Sequence, residues 1–143
     1  STLFPYTTLF RSKSKQDDLL NMKTGIFGHK GRVHYHCGTP VNTWLDELAA
    51  LPRHEFYSTL AQRMDREIHQ GYRIFPCNHI ALDMLNGDDA QARHYTQADR
   101  QDFERYLDQQ LAKVTIPNPD EPFIRHCILD MYANPLKNHL AAL

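Results

Sequence analysis

At 143 residues, with sixteen Lys+Arg against seventeen Asp+Glu and a formal net charge of −1, the chain has room for one domain. The near-neutral balance excludes the basic composition of a generic nucleic-acid binder, and 41% hydrophobic with 23% charged residues is globular rather than disordered composition. Cysteines at 37, 77 and 127 form no disulfide framework, no CxxC and no zinc-knuckle spacing, which indicates a reducing, cytoplasmic compartment. No apolar run is long enough to span a membrane.

The chain opens on a segment that does not read as protein structure. Residues 2–12, TLFPYTTLFRS, coincide over eleven consecutive codons with the translation of a common sequencing-library adapter. They lack the basic start, apolar stretch and cleavage site of a secretory signal, and Pro5 interrupts any strand. Residues 1–12 are therefore read as a cloning or assembly artefact. A coding sequence that begins inside an adapter also leads us to expect that the natural N-terminal portion is missing.

Residues 14–27 have a loose helical spacing (Leu19, Leu20, Lys23, Ile26, Phe27) weakened by Gly25. Over 32–38, Val33, Tyr35 and Cys37 alternate with Arg32, His34 and His36, the period of a half-buried strand, with Gly31 and Gly38-Thr39-Pro40 at its ends. A lone strand cannot satisfy its own backbone groups, so it is assigned to a larger sheet that is absent here. Residues 54–70 put Phe56, Tyr57, Leu60, Ala61, Met64 and Ile68 on one stripe, with Arg63, Asp65, Arg66 and Glu67 toward water. The mixed charge of this helix favours core packing over membrane contact. Pro76 precedes a short helix around 80–85 that Asn86-Gly87 ends. Thr96 with Asp99 starts the next helix in capping-box fashion, whose buried face is Phe103, Tyr106, Leu107, Leu111 and Val114; Pro117 and Pro119 stop it. The last helix begins near Asp120 and buries Phe123, Ile124, Cys127, Ile128, Met131 and Tyr132 before Asn134-Pro135 ends it.

Candidate chemistry is sparse. His34 and His36 point the same way on a strand and could share a metal, but no third ligand lies at a suitable local spacing. His79–Asp83 and His126–Asp130 stand four apart, the spacing of ordinary helix-surface pairs. His94 and Asp99 have the His-x4-Asp spacing of an acyltransferase general-base dyad. With nine histidines in the chain that spacing arises readily by chance, and Thr96 and Asp99 are already needed for a helix start. Cys77 beside His79 lacks the glycine turn and oxyanion donors of a nucleophile and is read as a small buried residue. No phosphate loop, GxSxG or paired-carboxylate signature is present. We therefore assign no catalytic residue, no metal ligand, no cofactor and no substrate-binding residue.

Three stretches in order, GHKGRVHYHCGTPV (28–41), AQRMDREIHQGYRIFPCNHIAL (61–82) and MYANPLKNHL (131–140), resemble the C-terminal region of bacterial 1-acyl-sn-glycerol-3-phosphate acyltransferase-like proteins. The resemblance covers essentially all of 28–140. It implies a parent that moves a fatty acyl chain from acyl-CoA or acyl carrier protein to a lysophosphatidate or glycerol-phosphate hydroxyl, peripheral to the inner membrane. The family's catalytic blocks (His-x4-Asp in Asn-His context, Gly-x-x-Phe-x-x-Arg, Glu-Gly-Thr-Arg and a late Val-Pro-Ile/Val strand) lie upstream of the matched region, so none is carried over. His94–Asp99 falls on the wrong side of the first stretch to stand in for the dyad.

The expectation is an α+β fragment, mainly helical with four to five helices and one strand at 32–38. Residues 13–41 would be the end of a catalytic domain and 42–143 a helical C-terminal region. The fragment would be inactive without the missing half of its own domain, and it would have no nucleic-acid partner. The other reading is a small non-enzymatic helical protein-interaction domain, using the apolar stripe of 123–132 or the edge at 32–38.

Overall fold

A computed structural model describes residues 15–28 and 31–143, and all regular structure in them is helical. Residues 1–12, read above as an artefact, lie outside the described residues, as do His29 and Lys30 of the first resembling stretch. The chain divides into two units, Ser1–Tyr35 and His36–Leu143. In the first, helix α1 spans Lys15–Phe27 with Asp17 and Asp18 in its opening turn, where carboxylates favour the positive end of the helix dipole. None of its residues is buried.

The expected strand at 32–38 is overturned, and with it the α+β class and the assignment to a larger sheet: no strand occurs among the described residues. Residues 31–40 carry no regular structure, with Val33 61% and Tyr35 89% exposed. Alternation makes a strand only where one face is covered and the backbone finds a ladder. Here neither condition is met.

The second unit contains α2 (Asn42–Leu48), α3 (Arg53–Gln70), α4 (Pro76–Asn86), a 3₁₀ turn at Ala92–His94, α5 (Gln97–Leu111) and α6 (Glu121–Ala142). Helix α4 is its centre. Ile80 and Ala81 of α4, Phe103 and Leu107 of α5, and Leu129 and Ala133 of α6 form one buried cluster. Ala81 and Ala133 are fully buried, and side chains this small let neighbouring helices pack closely; α4 packs most extensively on α6. Pro76 occupies the first turn of α4, where its missing N–H costs nothing. Gly87 closes the other end at φ 69°, a left-handed conformation that favours glycine, and its N–H bonds the Asp83 carbonyl. At the start of α5, Thr96 and Asp99 form the expected reciprocal cap.

Helix α2 was not anticipated. It buries Trp44 and Leu48, and the Arg63 guanidinium lies 4.8 Å from the centre of the Trp44 ring while bonding Glu47 at 2.7 Å. That contact rotates the expected face of α3. Arg63 and Glu67 are half-buried, whereas Tyr57, Met64 and Ile68 are 59%, 39% and 50% exposed.

Helix α6 departs from expectation twice. Its buried residues are Leu129, Ala133 and Leu136, one stripe at i, i+4 and i+7, while Phe123 and Met131 are 63% and 60% exposed and Cys127 is exposed. The sequence there is apolar on several faces, so periodicity does not select among them; contact with α4 does. The helix also runs through Pro135 to Ala142. A proline inside a helix removes one ladder bond and crowds the preceding turn, at a cost of roughly 3 kcal/mol. Burial of Leu136, worth about 1.5–3 kcal/mol, and contacts of the last turns with α3 offset it. Truncating Leu129 to Ala should lower the urea-unfolding free energy by about 2–5 kcal/mol. Met131→Ala should leave it within about 0.5 kcal/mol, the reverse of what the expected face would give.

Candidate functional site

Polar contacts join the first resembling stretch to the second and the second to the third. Thr39 of the first donates both its backbone N–H (2.7 Å) and its hydroxyl (2.9 Å) to one carboxylate oxygen of Glu67 in the second. Gly38 is required beside it, since a Cβ there would stand 2.9 Å from Cγ of Glu67. A Cβ at Gly71 would overlap the His36 ring. The two Thr39 bonds hold the Glu67 carboxyl below its ordinary pKa of 4.5, with smaller help from His36 and Arg63.

The second and third stretches are joined twice. Asn78 donates from Nδ2 to the Tyr132 carbonyl at 2.8 Å, and the His139 ring Nδ1 lies 2.8 Å from the His69 carbonyl, to which it donates. Asn78 also accepts from the Phe75 N–H at 2.8 Å, so its side chain caps α4 and grips α6 together. The Tyr132 hydroxyl bonds that of Tyr106 at 2.7 Å, and burial followed by this bond raises its pKa above that of a free tyrosine.

A polar cluster closes the far end of α4. The Asp83 carboxylate, 1% exposed, accepts from the Gln91 N–H at 3.0 and 3.1 Å and from the Tyr95 hydroxyl at 2.8 Å. Burial and then this carboxylate raise the Tyr95 pKa. His79, also buried, places Nδ1 3.1 Å from the Gln91 side-chain oxygen and stacks on His94, with ring centres 4.2 Å apart and 11° between planes. His79 and Asp83 are thus not the surface pair their spacing suggested; each binds Gln91. The available signal was an aspartate set among Ile80, Ala81, Leu82, Met84 and Leu85, a polar residue on a face otherwise fit for the core.

Most of the remaining candidates have structural occupations. The Asp99 carboxylate accepts from the Thr96 N–H (2.8 Å) and hydroxyl (2.6 Å) as a helix cap, whereas His94 stacks on His79 and accepts from the Arg93 side chain at 3.0 Å. The His-x4-Asp spacing therefore brings no dyad together. His126 and Asp130 pair across one exposed turn at 3.2 Å, and Lys137 also bonds Asp130, lowering its pKa. Cys77 is half-buried, and burial raises its thiol pKa, opposite to what an activated nucleophile needs. His34 is exposed, and no group of three or more His, Cys, Asp or Glu side chains able to hold a metal ion occurs among the described residues.

Two shallow grooves accompany these contacts. One of about 160 Å³ runs between Gly38, Thr39, Trp44, Met64, Glu67 and Ile68. The other, about 320 Å³, lies between Arg66 and His69 of α3 and Asn138 and Ala142 of α6. No helix among the described residues is long and apolar enough to cross a membrane. The chain matches no family model, and no curated protein or solved structure is significantly similar to it.

The Thr39–Glu67 contact carries a pH signature. A carboxylate whose folded pKa is depressed contributes stability above its unfolded value and loses it as pH falls through the lower, folded one. Acidification below pH 4.5 should therefore release Thr39 from α3, seen as loss of protection at its amide in hydrogen exchange. In Glu67→Gln that amide should show no such transition.

Proposed function

We propose that this chain is the C-terminal helical region of a bacterial glycerolipid acyltransferase-like protein, and that its residues serve shape rather than chemistry. One observation carries the reading. Stretches far apart in sequence, which together resemble that family's C-terminal region, are bonded to one another: Thr39 to the Glu67 carboxylate, Asn78 to the Tyr132 backbone carbonyl, and His139 to the His69 backbone carbonyl. These bonds join the three stretches within one helical unit, the arrangement expected if they are parts of one region. The parent would transfer a fatty acyl chain from acyl-CoA or acyl carrier protein to a lysophosphatidate or glycerol-phosphate hydroxyl, peripheral to the inner membrane, using a His-x4-Asp dyad upstream of this region.

A second reading, a non-enzymatic module that binds a partner protein, is favoured by the exposed Phe123, Cys127 and Met131 along one face of α6. Two experiments separate the cases. Purified chain mixed with acyl-CoA and lysophosphatidate should show no turnover, and turnover abolished by His94→Ala would contradict the structural role given to that residue. Sequencing the locus upstream of codon 13 should reveal an in-frame Asn-His-x4-Asp and Glu-Gly-Thr-Arg. A stop codon there, followed by a start near Met22, would favour the interaction module.

A further inference from the structure

Helix α3 turns an apolar face to solvent. Tyr57, Ala61, Met64 and Ile68 stand at intervals of four, three and four residues and are all exposed. That spacing is the seam by which one helix packs along another. The two ends of the face carry opposite charge. Arg53, in the first turn, is exposed and pairs with no carboxylate among the described residues. At the other end stands Glu67, whose two bonds from Thr39 both fall on Oε1, so that Oε2 can accept a further donor. Arg63, on the same helix, is already committed to Glu47 and the Trp44 ring.

We propose that α3 is the interface of a symmetric dimer, in which a second copy of this chain lays its own α3 antiparallel on the first. Leu60, half-buried next to the exposed Ala61, marks the axis. Arg53 lies seven residues before Leu60 and Glu67 seven after it, so reversing the second helix sets Arg53 of each copy opposite the partner's Glu67. The same reversal brings Tyr57 beside the partner's Met64, and the small Ala61 lets the helices approach near the axis. A parallel second copy would oppose like charges at both ends.

The groove of about 160 Å³ beside α3 gives the arginine its place. Trp44, Met64 and Ile68 supply its apolar walls, and Glu67 lies among its lining residues. Arginine suits such a groove because its aliphatic stem covers apolar surface while its guanidinium bonds the carboxylate. The two-fold axis repeats this contact on either side of the apolar seam. Helix α3 has 18 residues, a length of about 27 Å, which places the interface among the small, weakly associating ones.

Sedimentation velocity on the full chain, from about 1 μM to about 1 mM, covers the range in which a small interface associates. The weight-average mass should rise from that of one chain toward that of two. Arg53→Glu should weaken association about tenfold, because the two-fold axis removes the pair twice and opposes like charges in its place. Met64→Asp should abolish it, whereas Met131→Asp, on the exposed face of α6, should leave it unchanged. A single-chain mass at every concentration, growth beyond two chains, undiminished association in Arg53→Glu or Met64→Asp, or its loss in Met131→Asp would each overturn the dimer.

Discussion

Everything in the helical unit depends on how α4 is held, and Asn78 holds it. Its carboxamide is 7% exposed, accepts the Phe75 N–H at the head of α4, and donates to the Tyr132 carbonyl in the turn of α6 that Pro135 disturbs. Both partners are main-chain groups, and the Phe75 N–H, at the head of α4, has no partner within the helix. One side chain therefore starts the central helix and seats the neighbouring one, and the fully buried Ala81 and Ala133 give the two helices small side chains where they pack. Replacing either alanine by a bulkier residue would separate the helices that Asn78 joins.

The same economy governs the rest of the polar residues. Asp83 ties down the 88–96 loop, Glu67 ties down the Gly38-Thr39 turn, and Asp99 caps α5. Asp99 and His94, whose spacing suggested a dyad, are committed to a helix cap and to a ring stack on His79.

What could be read in the sequence was what is local. The α5 cap at Thr96 and Asp99, the stop at Asn86-Gly87 and the helix start near Asp120 are chemical signals confined to a few residues and are observed, whereas α4 begins at Pro76 itself rather than near residue 80. What could not be read depends on tertiary partners. The buried face of α6 is chosen by α4 from several apolar faces, the passage through Pro135 is permitted by contacts with α4 and α3, and Arg63 turns inward toward a Trp44 on a helix whose seven residues carry no strong start or stop signal. The strand expected at 32–38 failed for the same reason, because an alternating pattern needs a covered face that this segment does not have. The pairings that give the candidate site its form, Asn78 with Tyr132 and Asp83 with Tyr95, join residues 54 and 12 apart and have no periodic signature.

The most direct test of this account is the unfolding free energy of Asn78→Ala in urea, set beside that of Asn138→Ala on the exposed face of α6. Loss of the cap on the Phe75 N–H together with the bond to the Tyr132 carbonyl should cost Asn78→Ala about 1–3 kcal/mol, while Asn138→Ala should lie within about 0.5 kcal/mol of the native chain. Equal, small effects at the two positions would mean that α4 and α6 are held by apolar packing alone, contradicting the role assigned to Asn78.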